Sequence, residues 1–194
     1  CKHRTEAYRA LPNVQPTRES ASENIYMRPE AAAALEALFA GAAEDGMTLY
    51  ATSGYRSYST QKAIFERKLD RMSEKQANLS VAKPGYSEHQ TGLAMDIEGE
   101  TTKGTGLTEA FGESPEGIWA AKHCAEYGFI IRYPKDKTKI TGYIYEPWHL
   151  RYVGREAAQE ITALDVTFEE YIAMVRSDRI QWLQEETQYD DQNP

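Results

Sequence analysis

At 194 residues the chain is long enough for one well-cored domain with short extensions and too short for two. A hydrophobic fraction of 41% and a charged fraction of 27% are those of an ordinary globular protein, which excludes a disordered or fibrous chain. The formal net charge of -8 repels phosphates and argues against a nucleic-acid partner, and no apolar run approaches the roughly 18 residues of a membrane span.

Residues 1–22 hold Pro12, Pro16 and several Ser and Thr without a sustained apolar period, the composition of a linker or loosely packed arm. A helix is predicted from Arg28-Pro29-Glu30 to Ala43, with proline in its first turn and an acid at the positive end of its dipole. Leu35, Leu38, Phe39 and Ala42 share one face of it, and Gly46 stops it. Met47–Thr52 reads as a buried strand, and Ser53-Gly54-Tyr55-Arg56-Ser57 as a turn that exposes an arginine at the strand end. Tyr58 to about Met72 is expected to be helical, with Gln61 in the first turn. After a polar stretch closed by the turn Pro84-Gly85, a short strand covers Gly92–Ile97, with Ala94, Asp96 and Glu98 on one face.

The Gly- and Thr-rich segment 98–117 reads as a long surface loop. Pro115–Tyr127 is predicted as a helix stopped by Gly128, followed by the strand Phe129–Tyr133. Within that helix Cys124 falls in an apolar pattern with Ile118 and Ala121, as a small buried hydrophobe does. Lys135–Lys139 is a charged turn, and the chain runs extended again through Glu146 and His149–Val153. Helices follow at about 155–163 and 167–176, and a tail containing Trp182 and Leu183 begins at Ser177. The sum is a single α+β domain over residues 23–176, helices around a small antiparallel sheet, between the arm 1–22 and the tail 177–194.

Of the four histidines, His3 lies in the arm and His123 lacks an acid in a useful register, which leaves His89 and His149. Asp96 follows His89 by seven positions, and Glu146 precedes His149 by three. Two imidazoles and one carboxylate leave a fourth tetrahedral zinc position for water, as catalytic zinc sites do, and a carboxylate that is not a ligand can serve as general base. Both spacings are odd, so neither pair shares a face of a regular strand; Gly92 between the first pair and Pro147 between the second allow the chain to turn or kink. On residue type alone Glu98 competes with Asp96 as ligand, and Glu88 competes with Glu146 as base, although a residue adjoining a ligand in extended backbone points away from the metal.

The pattern Ser87-x-His89-x-x-Gly92-x-Ala94-x-Asp96 followed by Glu146-x-x-His149 resembles the zinc peptidases that trim bacterial cell-wall peptides, including D-alanyl-D-alanine carboxypeptidases of the VanY type (peptidase family M15B). The likeness runs from about residue 50 to 175 and includes Ser53-Gly54-Tyr55-Arg56-Ser57, Tyr127-Gly128-Phe129-Ile130-Ile131-Arg132-Tyr133-Pro134 and Glu146-Pro147-Trp148-His149-x-Arg151-Tyr152-Val153-Gly154. The resemblance implies the LAS (hedgehog/D,D-peptidase-like) fold and Zn²⁺ held by His89, Asp96 and His149. It implies Glu146 as the base, and Arg56 as the group that steadies the oxyanion or holds the peptide's terminal carboxylate. Ser87, Gln61 and Tyr133 would be substrate contacts, and Trp148 would pack.

The expected reaction is removal of the terminal D-Ala from peptidoglycan stem peptides ending in D-Ala-D-Ala. The alternatives are an L,D-carboxypeptidase acting on tetrapeptides by the same mechanism, a dipeptidase acting on free D-Ala-D-Ala, and an inactive wall-peptide binding module. A serine enzyme of the penicillin-target kind is set aside, because Ser57 and Ser59 lack the Ser-x-x-Lys arrangement. Cys1, at the head of the polar Cys1-Lys2-His3-Arg4, suits the lipid-bearing cysteine of a mature bacterial lipoprotein. The expected place of work is therefore the bacterial cell surface, with a lipid on Cys1 as the only membrane contact and a monomer as the working unit.

Overall fold

The computed structural model describes residues 9–10 and 25–192, with side chains described from 25 to 181. Apart from Arg9–Ala10, the expectations for the arm, and those for Cys1 and for the side chains of Trp182 and Leu183, lie outside the described residues. The two-residue strands β1 (Arg9–Ala10) and β2 (Tyr26–Met27) pair antiparallel. Helix α1 spans Pro29–Glu44 with Pro29 and Glu30 in its first turn, and it buries Ala31, Ala32, Leu35, Leu38 and Ala42. These small and branched side chains at helical spacing make one close-packed face.

Four strands form the central sheet: β3 (Leu49–Ser53), β4 (Ala94–Gly99), β5 (Phe129–Tyr133) and β6 (Glu146–Tyr152). Their spatial order is β3-β4-β6-β5 with every pair antiparallel. This α+β architecture matches the expectation. Between the strands lie α2 (Tyr58–Leu69), α3 (Glu74–Ala77), α4 (Pro115–His123) and α5 (Thr138–Thr141), and after them α6 (Arg155–Leu164) and α7 (Phe168–Gln192). One face of the sheet, through Ala51, Met95, Ile97 and Leu150, packs against Leu35 and Leu38 of α1 and Trp119 and Ala120 of α4. On the other face Ile130 meets Ala158 and Ile161 of α6, which covers the β5 end and leaves the middle of that face to polar side chains. Cys124 is buried in the main core, and Trp148 joins the same cluster.

Two stretches differ from expectation. Segment 98–117 is not a plain surface loop: β4 continues to Gly99, and 3₁₀ turns form at Glu100–Thr102 and Glu109–Glu113. Phe111, the only aromatic residue in that stretch, is 2% exposed within the main core and anchors it. At the other end, α7 runs past Ser177 to Gln192. No Gly or Pro interrupts 168–192, and Glu, Gln and Arg favour helix without a buried stripe; the side chains of 173–181 are all exposed. Among the described residues no helix is long and apolar enough to cross a membrane.

Candidate active site

The polar middle of the sheet is set by register. Asp96 on β4 stands directly opposite His149 on β6, and Met95 opposite Leu150, so that the first pair faces one side of the sheet and the second enters the core. His89 arrives from a 3₁₀ turn, Glu88–Thr91, capped by Gly92 in the left-handed conformation at φ 73°. Glycine adopts that conformation freely, and the reversal it permits turns the odd spacing of His89 and Asp96 into convergence. For Glu146 and His149 the device is a bulge: between the pairs Ile131–Leu150 and Tyr133–Glu146, two steps along β5 oppose four along β6. The surplus around Pro147 resets the alternation and brings Glu146 Oε2 to 3.8 Å from His149 Nδ1.

His89, Asp96 and His149, all buried, offer one donor atom each within 4.8 Å of one another, a group able to hold one metal ion. Their hydrogen bonds fix which atoms are offered. His89 Nδ1 donates to the Gly54 carbonyl at 2.8 Å, which leaves the lone pair on Nε2. That Nε2 is buried, has no hydrogen-bond partner, and faces Asp96 Oδ2 at 3.3 Å. A buried lone pair turned toward a carboxylate oxygen with no proton between them is costly unless a cation serves both, so this donor set fits a metal. His149 presents Nδ1 to Asp96 Oδ1 at 2.8 Å and Nε2 to Glu88 Oε1 at 2.9 Å.

Among the protein's own charges, burial holds the His89 imidazole below its usual range, with Arg56 and His149 adding to the effect. For Asp96, burial acts to raise the carboxyl, but His89 and His149 outweigh it and hold the group ionised. Burial would likewise raise Glu88, yet His149, Arg151 and Arg132 pull it down to about 2. Glu146 goes the other way: burial, helped by Asp96 and Glu88 and opposed by His149 and Arg56, lifts it to about 7. The two glutamates that compete for the role of base are thereby separated, one fixed as an anion and one close to neutrality.

Around this group lies a cavity of about 300 Å³ that Arg56, Gln61, Ser87, Tyr133, Glu146 and His149 all line. Arg56 follows β3, with Nη1 donating to Gln61 Oε1 at 3.2 Å and Nη2 lying 3.4 Å from Asp96 Oδ2; its Nε is buried and has no partner. Gln61 also donates from Nε2 to the Ala82 carbonyl at 2.7 Å, so its contacts brace the arginine. The Tyr133 ring lies 5.0 Å from that of His149. Glu98 sits opposite Tyr50, two residues beyond Asp96, and is not in the metal-binding group. What the sequence does not disclose is the partner of His149: Glu88, expected to point away, reaches the histidine's far nitrogen, while its Oε2 accepts from Arg132 Nε at 3.0 Å and Arg151 Nη1 at 2.9 Å. The signal was present only as three charged residues within the resemblance motifs, 44 and 63 positions apart.

Two imidazoles and an aspartate on the open face of an antiparallel sheet, with a separate glutamate beside them, make up a group able to hold one metal ion. The chain belongs to the VanY family, whose model, described as D-alanyl-D-alanine carboxypeptidase, matches residues 24–155. It is 49% identical over 166 residues to the putative carboxypeptidase YodJ of Bacillus subtilis (strain 168), covering 86% of this chain and spanning only 60% of that relative's length. Among solved structures, the LdcB LD-carboxypeptidase is 50% identical with a TM-score of 0.78, covering 84% of this chain and 76% of that one. A vancomycin-resistance D,D-pentapeptidase VanY mutant solved in complex with Zn(II) is 37% identical with a TM-score of 0.67, covering 78% of this chain and 86% of that one.

Proposed function

We propose that this chain is a zinc carboxypeptidase that removes the C-terminal D-alanine of peptidoglycan stem peptides. The observation that carries the reading is the buried donor group of His89, Asp96 and His149, set beside Glu146 in a cavity that Arg56 also lines. His89 through Nε2, Asp96 through its carboxylate and His149 through Nδ1 would hold the metal. When bound, zinc supplies Lewis-acid polarisation of a carbonyl and lowers the pKa of a water to about 7. Glu146 takes the proton of the attacking water and returns it to the leaving amine. Ser87 and Tyr133 border the peptide, and Gln61 acts on it through Arg56. The bacterial cell surface as place of work, a lipid on Cys1 and a monomeric unit belong to the same proposal.

Arg56 brings a planar donor fork to an anion. Its unpartnered, buried Nε supports a role in binding rather than in capping α2, whose N-cap is Ser57. We expect Arg56→Ala to lower kcat/KM by about 10²–10³-fold, the usual scale for loss of one fixed group at developing charge, with zinc retained. Comparing the free-acid peptide with its C-terminal amide separates the two roles. If Arg56 grips the terminal carboxylate, the penalty of the substitution vanishes on the amide; if it serves the oxyanion, the penalty stays.

The bond cleaved divides the proposal. The family description supports the D,D reaction on D-Ala-D-Ala ends. A second reading, the L,D reaction on tetrapeptides, is favoured by the identity of 50% to an LD-carboxypeptidase against 37% to a D,D-pentapeptidase. Release of D-alanine from matched penta- and tetrapeptides, with and without chelator, tests both. Chelator-sensitive release from the pentapeptide alone fixes the D,D reading, and release from the tetrapeptide alone fixes the L,D one. No release from either by the zinc-loaded chain leaves a wall-peptide binding module.

A further inference from the structure

The network behind His149 has no part in the chemistry described so far. Glu88 divides its two oxygens. Oε1 accepts from His149 Nε2 at 2.9 Å, and Oε2 accepts from Arg132 Nε at 3.0 Å and Arg151 Nη1 at 2.9 Å. Arg132 is in turn held by Glu169, in the first turn of α7, through Nη1 at 3.0 Å and Nη2 at 2.5 Å. Phe168, beside Glu169, lies with its ring 5.3 Å from both guanidinium carbons. Two guanidiniums on one oxygen fix the carboxylate plane and leave the other oxygen aimed at a single imidazole nitrogen. Both ring nitrogens face carboxylate oxygens, which can only accept, so among the protein's own groups each carries a proton. With a cation at Asp96 only the Nε2 proton, held by Glu88, would remain, and Nδ1 would offer its lone pair.

We propose that Glu88 is a positioning residue for the metal centre: clamped by Arg132 and Arg151, it holds His149 in the tautomer and orientation that present Nδ1 beside Asp96. The inference rests on the reading of His89, Asp96 and His149 as the metal ligands. Glu169 and Phe168, at the start of α7, touch the arginines and stand one step removed from Glu88 itself. Outer carboxylates that orient a ligating imidazole typically account for 10–100-fold in metal affinity.

The test is the zinc dissociation constant of the purified chain, measured by competition with a chromophoric chelator, for the unmutated protein, Glu88→Gln, Glu88→Ala and Glu169→Gln. Far-UV circular dichroism and melting temperature are recorded on the same samples. Glu88→Gln keeps the side chain's size, and it holds the question open if Glu88→Ala fails to fold. We expect Glu88→Gln to bind zinc 10–100-fold more weakly while remaining folded, and Glu169→Gln, which leaves His149 its partner, to lose melting temperature with zinc affinity changed by less than about threefold. A slowly exchanging imidazole N–H signal from His149 in the zinc-loaded protein, lost in Glu88→Gln, supports the same assignment. Zinc affinity in Glu88→Gln within twofold of the unmutated value overturns the inference and leaves Glu88 a counter-ion for Arg132 and Arg151. Failure of the unmutated chain to bind zinc overturns the ligand reading itself, and this inference with it.

Discussion

Replacing Glu146 with alanine is expected to lower D-alanine release by about 10²–10⁴-fold while each chain still carries one zinc, since in the proposed mechanism the side chain moves protons and it lies outside the donor group. The geometry supports this. Glu146 is 7% exposed, lines the cavity, and approaches His149 Nδ1 only to 3.8 Å, beside the metal-binding group rather than within it. Glu88, the rival base, has both oxygens committed to His149, Arg132 and Arg151, and the two guanidiniums hold it as an anion whose lone pairs are already engaged. Glu146, which burial raises among the protein's own charges, has no arginine or lysine bonded to it among the described residues and keeps its oxygens free to accept a proton and give it back. The check is single-turnover release from the preferred peptide together with zinc content by atomic emission. A Glu146→Ala protein that kept the full rate would remove the base assignment and send the search to another group lining the cavity.

Much of this arrangement was legible in the chain. The helical stripe Leu35, Leu38 and Ala42, the alternation through Ala94, Asp96 and Glu98, and the stops at Gly46 and Gly128 are local signals that tertiary packing did not override. The convergence of His89, Asp96 and His149 was legible because two breakers, Gly92 and Pro147, sit inside their spacings and mark where regular alternation fails. What a linear reading could not supply is which long-range partners meet. The carboxylate of Glu88 lies one residue from His89 yet bonds the other histidine, 61 positions on, because a 3₁₀ turn rather than extended backbone carries it. Segment 98–117 was misread for a related reason: Gly and Thr dominate its composition, while one buried side chain, Phe111, decides its course. The extended α7 is the reverse case, where helix propensity alone suffices without the apolar stripe on which a periodic reading depends.

The second large effect is expected at Asp96. It is the shared member of the centre, with Oδ1 at 2.8 Å from His149 Nδ1 and Oδ2 at 3.3 Å from His89 Nε2 and 3.4 Å from Arg56 Nη2. Substitution by asparagine keeps the shape and one carbonyl oxygen but removes the charge that the metal and Arg56 share. We expect Asp96→Asn to bind zinc at least about 100-fold more weakly, at or beyond the range seen when an outer partner is lost, and to lose D-alanine release in parallel. Alanine goes further. It leaves Arg56 and His149 in a buried place without their common anion, and breaking a buried pair from one side costs on the order of 3–5 kcal/mol, so Asp96→Ala should also melt well below Asp96→Asn. Glu146→Ala supplies the contrast, with activity lost and zinc retained, so zinc content and melting curves on the three proteins separate ligand from base. Should Asp96→Asn hold zinc as tightly as the unmutated chain, the ligand would have to be the other acid on the same strand face, Glu98, buried two residues on, and the doubly substituted chain would then be the one to lose the metal.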